Sequence, residues 1–335
     1  GYRSFCMRAA DTYQTLERPF ILSDQPSPFS LATGAGIKGL GGLLRISPFT
    51  TLWKALGDHF SDVRLRQLFA RYATYVGSSP FDAPATLMLI ADVERQGVWT
   101  LEGGMHALAA ACQALAERHG VKFLFDARVA HISAPSGQFR SVTLESGDVL
   151  EGDAAIINAD PQALATGLFG PDTERAAAPI ARTSRSLSAI TYSFRAETSG
   201  LPLEHHNVFF CPDYRKEFDD IFRYARVPSD PTVYICAQDR GHAEVGNGGA
   251  ERLFCLVNAP PIGDTHEFTQ SEIDQCEQRL MSRLTRCGLK VTPISAPVIA
   301  APSDFNQLFP ATGGALYGQS SHGWSASFTR PSART

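Results

Sequence analysis

Two ionisable side chains stand four residues apart in the run SDVRLRQLF: Asp62 and Arg66. On a helix that spacing gives them one face, where a carboxylate and a guanidinium can act as an acid–base pair. Asp62 also falls in the first helical turn, where a negative charge complements the helix dipole. A second place of note is the Gly pair Gly103-Gly104, which opens directly on a helical stretch beginning at Met105. A third is Asn158-Ala159-Asp160, at the end of an apolar run, because ligands gather at the carboxyl ends of parallel strands. Other chemistries find less support. The adjacent His205-His206 belong to no HxxxH or HExxH pattern, and none of the seven cysteines sits in a CxxC pair. No metal site is therefore expected. No GxSxG elbow occurs either, so hydrolase chemistry is set aside.

The elements that must position these residues are read from periodicity. Met105, Leu108, Cys112 and Leu115 form one apolar stripe of a helix, and Gly120 stops it as a residue free to take positive φ. Val121 to Phe125 reads as a short strand covered on both faces. Arg128 to Ser133 and Ser141 to Glu145 read as two antiparallel strands, with turn residues around Pro135 and at Ser146-Gly147-Asp148. Ala154 to Ile157 then reads as a second buried strand. Upstream, residues 1–20 keep helical spacing through Phe5, Ala9, Tyr13 and Leu16. Ser47-Pro48 signals a helix start ahead of Leu52, Leu56 and Phe60, and Ser61-Asp62 signals another with Leu65, Leu68, Phe69 and Tyr72 inward. Residues 85–95 complete this helical portion. Downstream, an Ala-rich helical stretch over 161–185 leads into strands over 186–194, 206–210, 232–238 and 252–260. They are expected to form one antiparallel sheet, backed by a helix over 269–287.

Bulk composition narrows the function classes. The 335 residues are 44% hydrophobic and 19% charged, enough for one large domain or two interlocked ones with a substantial core. A net charge of −4 gives no basic stripe for nucleic acid. No apolar run approaches the ~18 residues that span a bilayer, although the protein can still lie on one. Residues 21–46 are Gly-rich and apolar without a clear period, readable as a loop and helix or as a segment dipping into lipid. Gly34-Ala35-Gly36 has no buried strand before it and is not read as a dinucleotide loop.

The stretch from 101 to 162 resembles the middle of FAD-dependent amine oxidases and, more closely, of bacterial carotenoid desaturases in the phytoene desaturase family. RYATYVGSSPFDAPATLMLIADVERQGVW, HNVFF, PTVYICAQDR, ERLFCLVNAPP and GGALYGQSSHGW narrow the resemblance to the 3,4-desaturases of hydroxy- and methoxy-carotenoids in purple bacteria. It implies an α/β fold: part of an FAD-binding Rossmann-like domain, an inserted helical lobe and an antiparallel-sheet substrate domain. The expected division is a helical lobe over 1–100, flavin-domain segments over 101–165 and 311–335, and the substrate domain over 166–310. Both ends then read as cut.

By the same resemblance the cofactor is FAD. The backbone of Val129 faces its adenine, Gly103, Gly104 and Met105 approach the isoalloxazine, and Asn158, Ala159 and Asp160 lie near the cofactor. Trp324 either flanks the ring or packs in the core, in a late segment that also holds Gly313, Gly314 and His322. Asp62 and Arg66 border the cavity as candidates for proton chemistry on the substrate. The implied partners are a carotenoid and, peripherally, a membrane surface, on the cytoplasmic side of the inner or intracytoplasmic membrane. Phytoene, an amine substrate, or a polyene-binding role without catalysis remain as alternatives.

Overall fold

A computed structural model of the chain describes residues 1–23, 27, 49–177, 181, 185–240, 249–328 and 330. Helix α1 (Tyr2–Leu16) forms because Phe5, Ala9, Thr12 and Leu16 recur at helical spacing, and all four are buried. The expected start at Ser47-Pro48 and most of the Gly-rich stretch over 21–46 lie outside the described residues. Helix α2 (Leu52–Gly57) instead begins at Thr51, whose hydroxyl accepts the Lys54 amide at 3.4 Å. Leu52, Leu56 and Phe60 are buried as their spacing predicts. Helix α3 (Val63–Ala70) departs from expectation, since Leu65 and Leu68 are 42% and 48% exposed. The helix gives way at Arg71 to a 3₁₀ turn, and the buried face passes to Ala70, Tyr72 and Ala73. Helix α4 (Leu89–Gln96) closes the lobe against α1 and ends at Gly97.

Aromatic side chains fill the centre of this lobe. Phe5 lies 4.5 Å from Phe69, which stacks on Phe60 at 5.0 Å, and Trp53 packs on Phe81 at 4.8 Å. The same core takes in Leu187, Cys211, Tyr214, Phe218 and Ile221 from the second half of the chain. Helix α7 (Tyr214–Phe218), unforeseen in the sequence, supplies two of them.

The second core lies under a six-stranded antiparallel sheet. Strands β4 (Ser188–Gly200), β5 (His206–Phe209), β6 (Val233–Ala237) and β7 (Glu251–Ala259) fall where β-branched and aromatic runs placed them. Strands β8 (Leu289–Pro293) and β9 (Val298–Ala300) were not anticipated. The order is β5-β6-β7-β4-β8, with β9 beside the first half of β4. Alternation decides the buried face: Ile190, Tyr192, Phe194, Val233, Ile235, Leu253, Cys255 and Val257 point inward. Helix α8 (Gln270–Arg286) covers them with Cys276, Leu280 and Leu284. Its start is fixed by a capping box between Thr269 and Glu272.

The stretch from 101 to 162 differs most from its sequence reading. Helix α5 (Gly104–Arg118) is present, and Gly120 ends it at φ +84°. Its stripe is not covered: Met105 is 72% exposed and Leu115 49%. Strands β1 (Val129–Ser133), β2 (Ser141–Leu144) and β3 (Val149–Glu151) form a small antiparallel sheet, with a register shift between Val129 and His131. Val121–Phe125 and Ala154–Ile157, expected as buried strands, join no ladder among the described residues, and Ile156 is wholly exposed. A strand exists only where a neighbour takes up its amides and carbonyls, and apolar content alone supplies no neighbour. The Ala-rich stretch after Asp160 is likewise broken into helix α6 (Pro161–Ala165) and a 3₁₀ turn, interrupted by positive φ at Gly167 and Gly170. After β9, helix α9 (Pro302–Leu308) leads into the Gly-rich segment 311–323. No helix among the described residues is long and apolar enough to cross a membrane.

Candidate functional site

The segment from Ala311 to Gly323 is held by both halves of the fold. The Ser186 amide donates to the Gly318 carbonyl at 2.7 Å, and the Leu316 amide to that of Leu187 at 3.2 Å. Leu187 in turn donates to Gly77 at 2.9 Å, so one short path connects the helical lobe, the start of β4 and the late segment. Further along, the Ser321 amide donates to Ser78 Oγ at 2.8 Å, and the Ser79 amide to His322 Nε2 at 2.9 Å. Because Nε2 accepts there, the neutral ring carries its proton on Nδ1. Burial lowers the pKa of His322, partly opposed by Asp82, so this histidine favours the neutral form.

At the centre of the anchorage is Arg185, which sequence reasoning did not single out. Its guanidinium makes a bidentate pair with Asp264, both bonds 2.9 Å, and donates to the carbonyls of Pro261 at 3.2 Å and Ala311 at 3.1 Å. Arg185 is 9% exposed and Asp264 18%, a geometry in which the planar fork satisfies a carboxylate and two orphan carbonyls together. Gly313 (φ +64°) and Gly314 (φ +82°) are required by this packing: a Cβ on the first would meet Arg185 and the Pro261 carbonyl, and on the second Pro302. No spacing rule links residue 185 to 264, since only the folded sheet brings them together.

The structure brings Asp160 to this segment. Asp160 caps α6 by accepting the Gln162 amide at 2.8 Å, and its other carboxylate oxygen faces Gly318. Asp160, Gln162, Arg185, Ala311, Thr312 and Gly318 line one narrow cleft. Asn158 and Ala159 precede it as exposed chain. Trp324 is half-exposed and meets Phe49 edge-to-face at 5.5 Å. Val129 is half-buried at the register shift of β1. Gly103 and Gly104 both take positive φ at the start of α5, and Met105 follows them into solvent.

Asp62 and Arg66 do not form the pair that their spacing suggests. Asp62 stands outside α3 as its N-cap, accepting the Arg64 amide at 2.9 Å and a fork of bonds from the Arg64 guanidinium, the shortest 2.6 Å. Arg64 holds the Asp62 carboxyl at about 2, well below the usual carboxylate range. Arg66 turns the other way, donating to the Phe60 carbonyl at 2.7 Å with its guanidinium over Gly57. The N-cap sits half a step off the helical ladder, so an i,i+4 count begun at the cap misplaces the partner.

The residues present fit a flavin at the start of α5. The first amides of this helix carry no side-chain cap, no acidic residue lies in its first turn, and a Cβ on Gly104 would meet nothing within 4 Å. Backbone N–H groups at a positive dipole end, beside an open face, suit an anion or the negative charge that a flavin ring gains on reduction.

Comparison with known proteins places the chain among flavin-dependent enzymes. Residues 57–335 match the family of flavin containing amine oxidoreductases. The chain is 48% identical to a hydroxyneurosporene desaturase from Rubrivivax gelatinosus, over 99% of its own length and 63% of the relative. It is 41% identical to a hydroxyneurosporene desaturase from Cereibacter sphaeroides, over 100% of its length and 67% of the relative. A phytoene desaturase from Neurospora crassa is 27% identical over 95% of the chain and 56% of that protein. The chain thus spans roughly two thirds of the length of the bacterial relatives. Matched over most of its residues, with the late Gly-rich segment fastened beside Asp160, the chain belongs to the flavin-containing amine oxidoreductase family.

Proposed function

We propose that the protein acts in an FAD-dependent carotenoid desaturase, removing two hydrogens from a C–C bond of a hydroxy- or methoxy-carotenoid to give the 3,4 double bond. The observation that carries this reading is the 48% identity to a hydroxyneurosporene desaturase along 99% of the chain. The lower identity to a phytoene desaturase favours the hydroxylated substrate over phytoene itself.

In this reading Gly103, Gly104 and Met105 hold the ring end of FAD, the backbone of Val129 faces the adenine, and Asn158 to Asp160 with Trp324 border the cofactor. FAD, when bound, supplies the two-electron acceptor that an unreactive hydrocarbon needs. The protein's own share is to align a long apolar chain and keep water from it. Asp62, held ionised by Arg64 at the N-cap of α3, is not suited to proton donation near neutral pH, and its role is to cap that helix. Arg66, fixed on the Phe60 carbonyl, braces the corner between α2 and α3. We further propose peripheral association with the cytoplasmic face of the membrane that stores the substrate.

The test is a paired assay of flavin-loaded enzyme with hydroxyneurosporene and with phytoene, followed through the red shift that accompanies each new conjugated double bond. Conversion of hydroxyneurosporene alone is expected. Conversion of phytoene alone would reassign the substrate, and a flavin-bound enzyme inert toward both would remove the desaturase reading.

A further inference from the structure

The pairing of β5 with β6 brings Cys236 beside the adjacent pair His205-His206. Cα register pairs His206 with Cys236 directly across the two strands, and the His205 carbonyl accepts the Ala237 amide at 2.9 Å beside them. One ring nitrogen of His205, one of His206 and the Cys236 sulfur all lie within 4.8 Å of one another. The two imidazoles meet edge-to-face with centroids 4.4 Å apart. His205 Nε2 stands 3.7 Å from Cys236 Sγ. We propose that His205, His206 and Cys236 form a binding site for a thiophilic divalent cation, Zn²⁺ by its chemistry, at the edge of the six-stranded sheet.

The surroundings prepare each ligand. His205 Nδ1 lies 2.8 Å from the Arg240 carbonyl, which can only accept, so Nδ1 carries the proton and Nε2 offers its lone pair toward Cys236. This is the outer-shell bond by which metal-binding histidines are commonly oriented. Tyr234, two residues before Cys236 on the same face of β6, places its hydroxyl 2.8 Å from His206 Nδ1. Two imidazoles and one thiolate are soft-to-borderline donors suited to Zn²⁺, and they leave a fourth position for water or another ligand. On binding, the Cys236 S–H bond breaks, a sulfur–metal bond forms and one proton is released to solvent. No change of oxidation state is involved. This site shares no residue with the flavin-related set and does not depend on the proposed reaction.

Titration of the metal-free protein with Co²⁺ as the spectroscopic probe tests the assignment. Expected are a near-ultraviolet sulfur-to-cobalt charge-transfer band, its displacement by Zn²⁺, and release of one proton per metal. Cys236→Ser should abolish the band while d–d absorption or weak binding persists, and His206→Asn, at an exposed position, should weaken affinity by about tenfold or more. Circular dichroism of each variant checks that the fold is intact. Absence of the band in folded wild-type protein would overturn the proposal. So would a band unchanged in Cys236→Ser, which would place the metal on one of the exposed cysteines, Cys112 or Cys287.

Discussion

Asp62 owes its low pKa to Arg64, and that fixes how it affects stability with pH. Its carboxyl titrates at about 2 in the folded chain against 3.8 ordinarily, so its contribution is present above pH 4 and is lost as pH falls through 2. Asn caps helices nearly as well as Asp. Asp62→Asn keeps the cap but loses the charge, so it should lower the melting temperature slightly near neutral pH, converge on wild type near pH 2 and flatten the acid limb between pH 4 and 2. Desaturation by this variant is expected within about twofold of wild type, whereas loss of a group acting in acid–base catalysis would cost roughly a hundredfold or more. A hundredfold fall in kcat with flavin content intact would return Asp62 to the chemistry.

Glu217 is the residue that no pattern pointed to. It is 2% exposed and accepts from Thr232 Oγ1 at 2.6 Å, the Thr232 amide at 3.2 Å and Cys211 Sγ at 3.0 Å. Burial raises its pKa against those bonds, so the stability this acid contributes is greatest at low pH and declines as pH rises through its folded value. Truncation strands three buried donors. Glu217→Ala should cost about 2–4 kcal/mol of unfolding free energy, measured by urea denaturation at neutral pH. A charged residue on a five-residue helix reads as solvent-facing, which is why sequence alone passes over it. The Asp62 spacing misled for a different reason, because the cap's side chain folds back on its own first turn.

Helices and antiparallel strands were legible wherever a segment carries its own partner nearby. The α8 capping box and its four-residue apolar stripe, and the alternation in β6 and β7, need only local chain and the sheet they join. Val121–Phe125 and Ala154–Ile157 have the same apolar content, yet their pairing depends on segments that their own residues do not specify. Hydrogen exchange separates the two kinds of element. Amides of 121–127 and 153–159 should exchange within seconds to minutes, while those of β4 and β7 at Ile190, Tyr192, Cys255 and Val257 remain protected for hours. Slow exchange across 121–125 would show a ladder there. Arg185 acts at this scale too, because it joins the β4 entrance, the 261–264 turn and the late Gly-rich segment. Arg185→Ala removes the fork from Asp264 and the donors from the Pro261 and Ala311 carbonyls, so a loss of about 3–5 kcal/mol is expected in chemical denaturation. Arg185→Lys, which lacks the fork, should recover only part of it.

The molecule as a whole combines a large exposed apolar area with a net charge of −4. Met105, Leu108, Leu124, Phe125 and Ile156 are all more than 40% exposed. Surfaces of this kind bind other apolar surfaces. Flotation with liposomes tests the membrane reading: the protein should rise with the lipid and leave it in an alkaline wash, since no described helix can span a bilayer. Protein that stays in the aqueous fraction would count against uptake of substrate directly from the membrane.

Strand β4 has one further consequence, which concerns time. It pairs along one edge with β7 and along the other with both β8 and β9, so every long ladder of the main sheet except β5-β6 and β6-β7 runs through it. Its β7 partners lie on the order of sixty residues away in the chain, and the β8 and β9 partners roughly a hundred, so the loops are long and costly to close. The β5-β6 and β6-β7 hairpins can assemble early from nearer residues, but β4 must wait for them. Refolding from denaturant should accordingly show a lag or a slow phase in sheet formation, on the scale of milliseconds to seconds or longer, behind a faster helical signal. Until that strand docks, Tyr192 and Ile190 stay outside the core, and the nascent chain presents its longest unpaired edge to other chains.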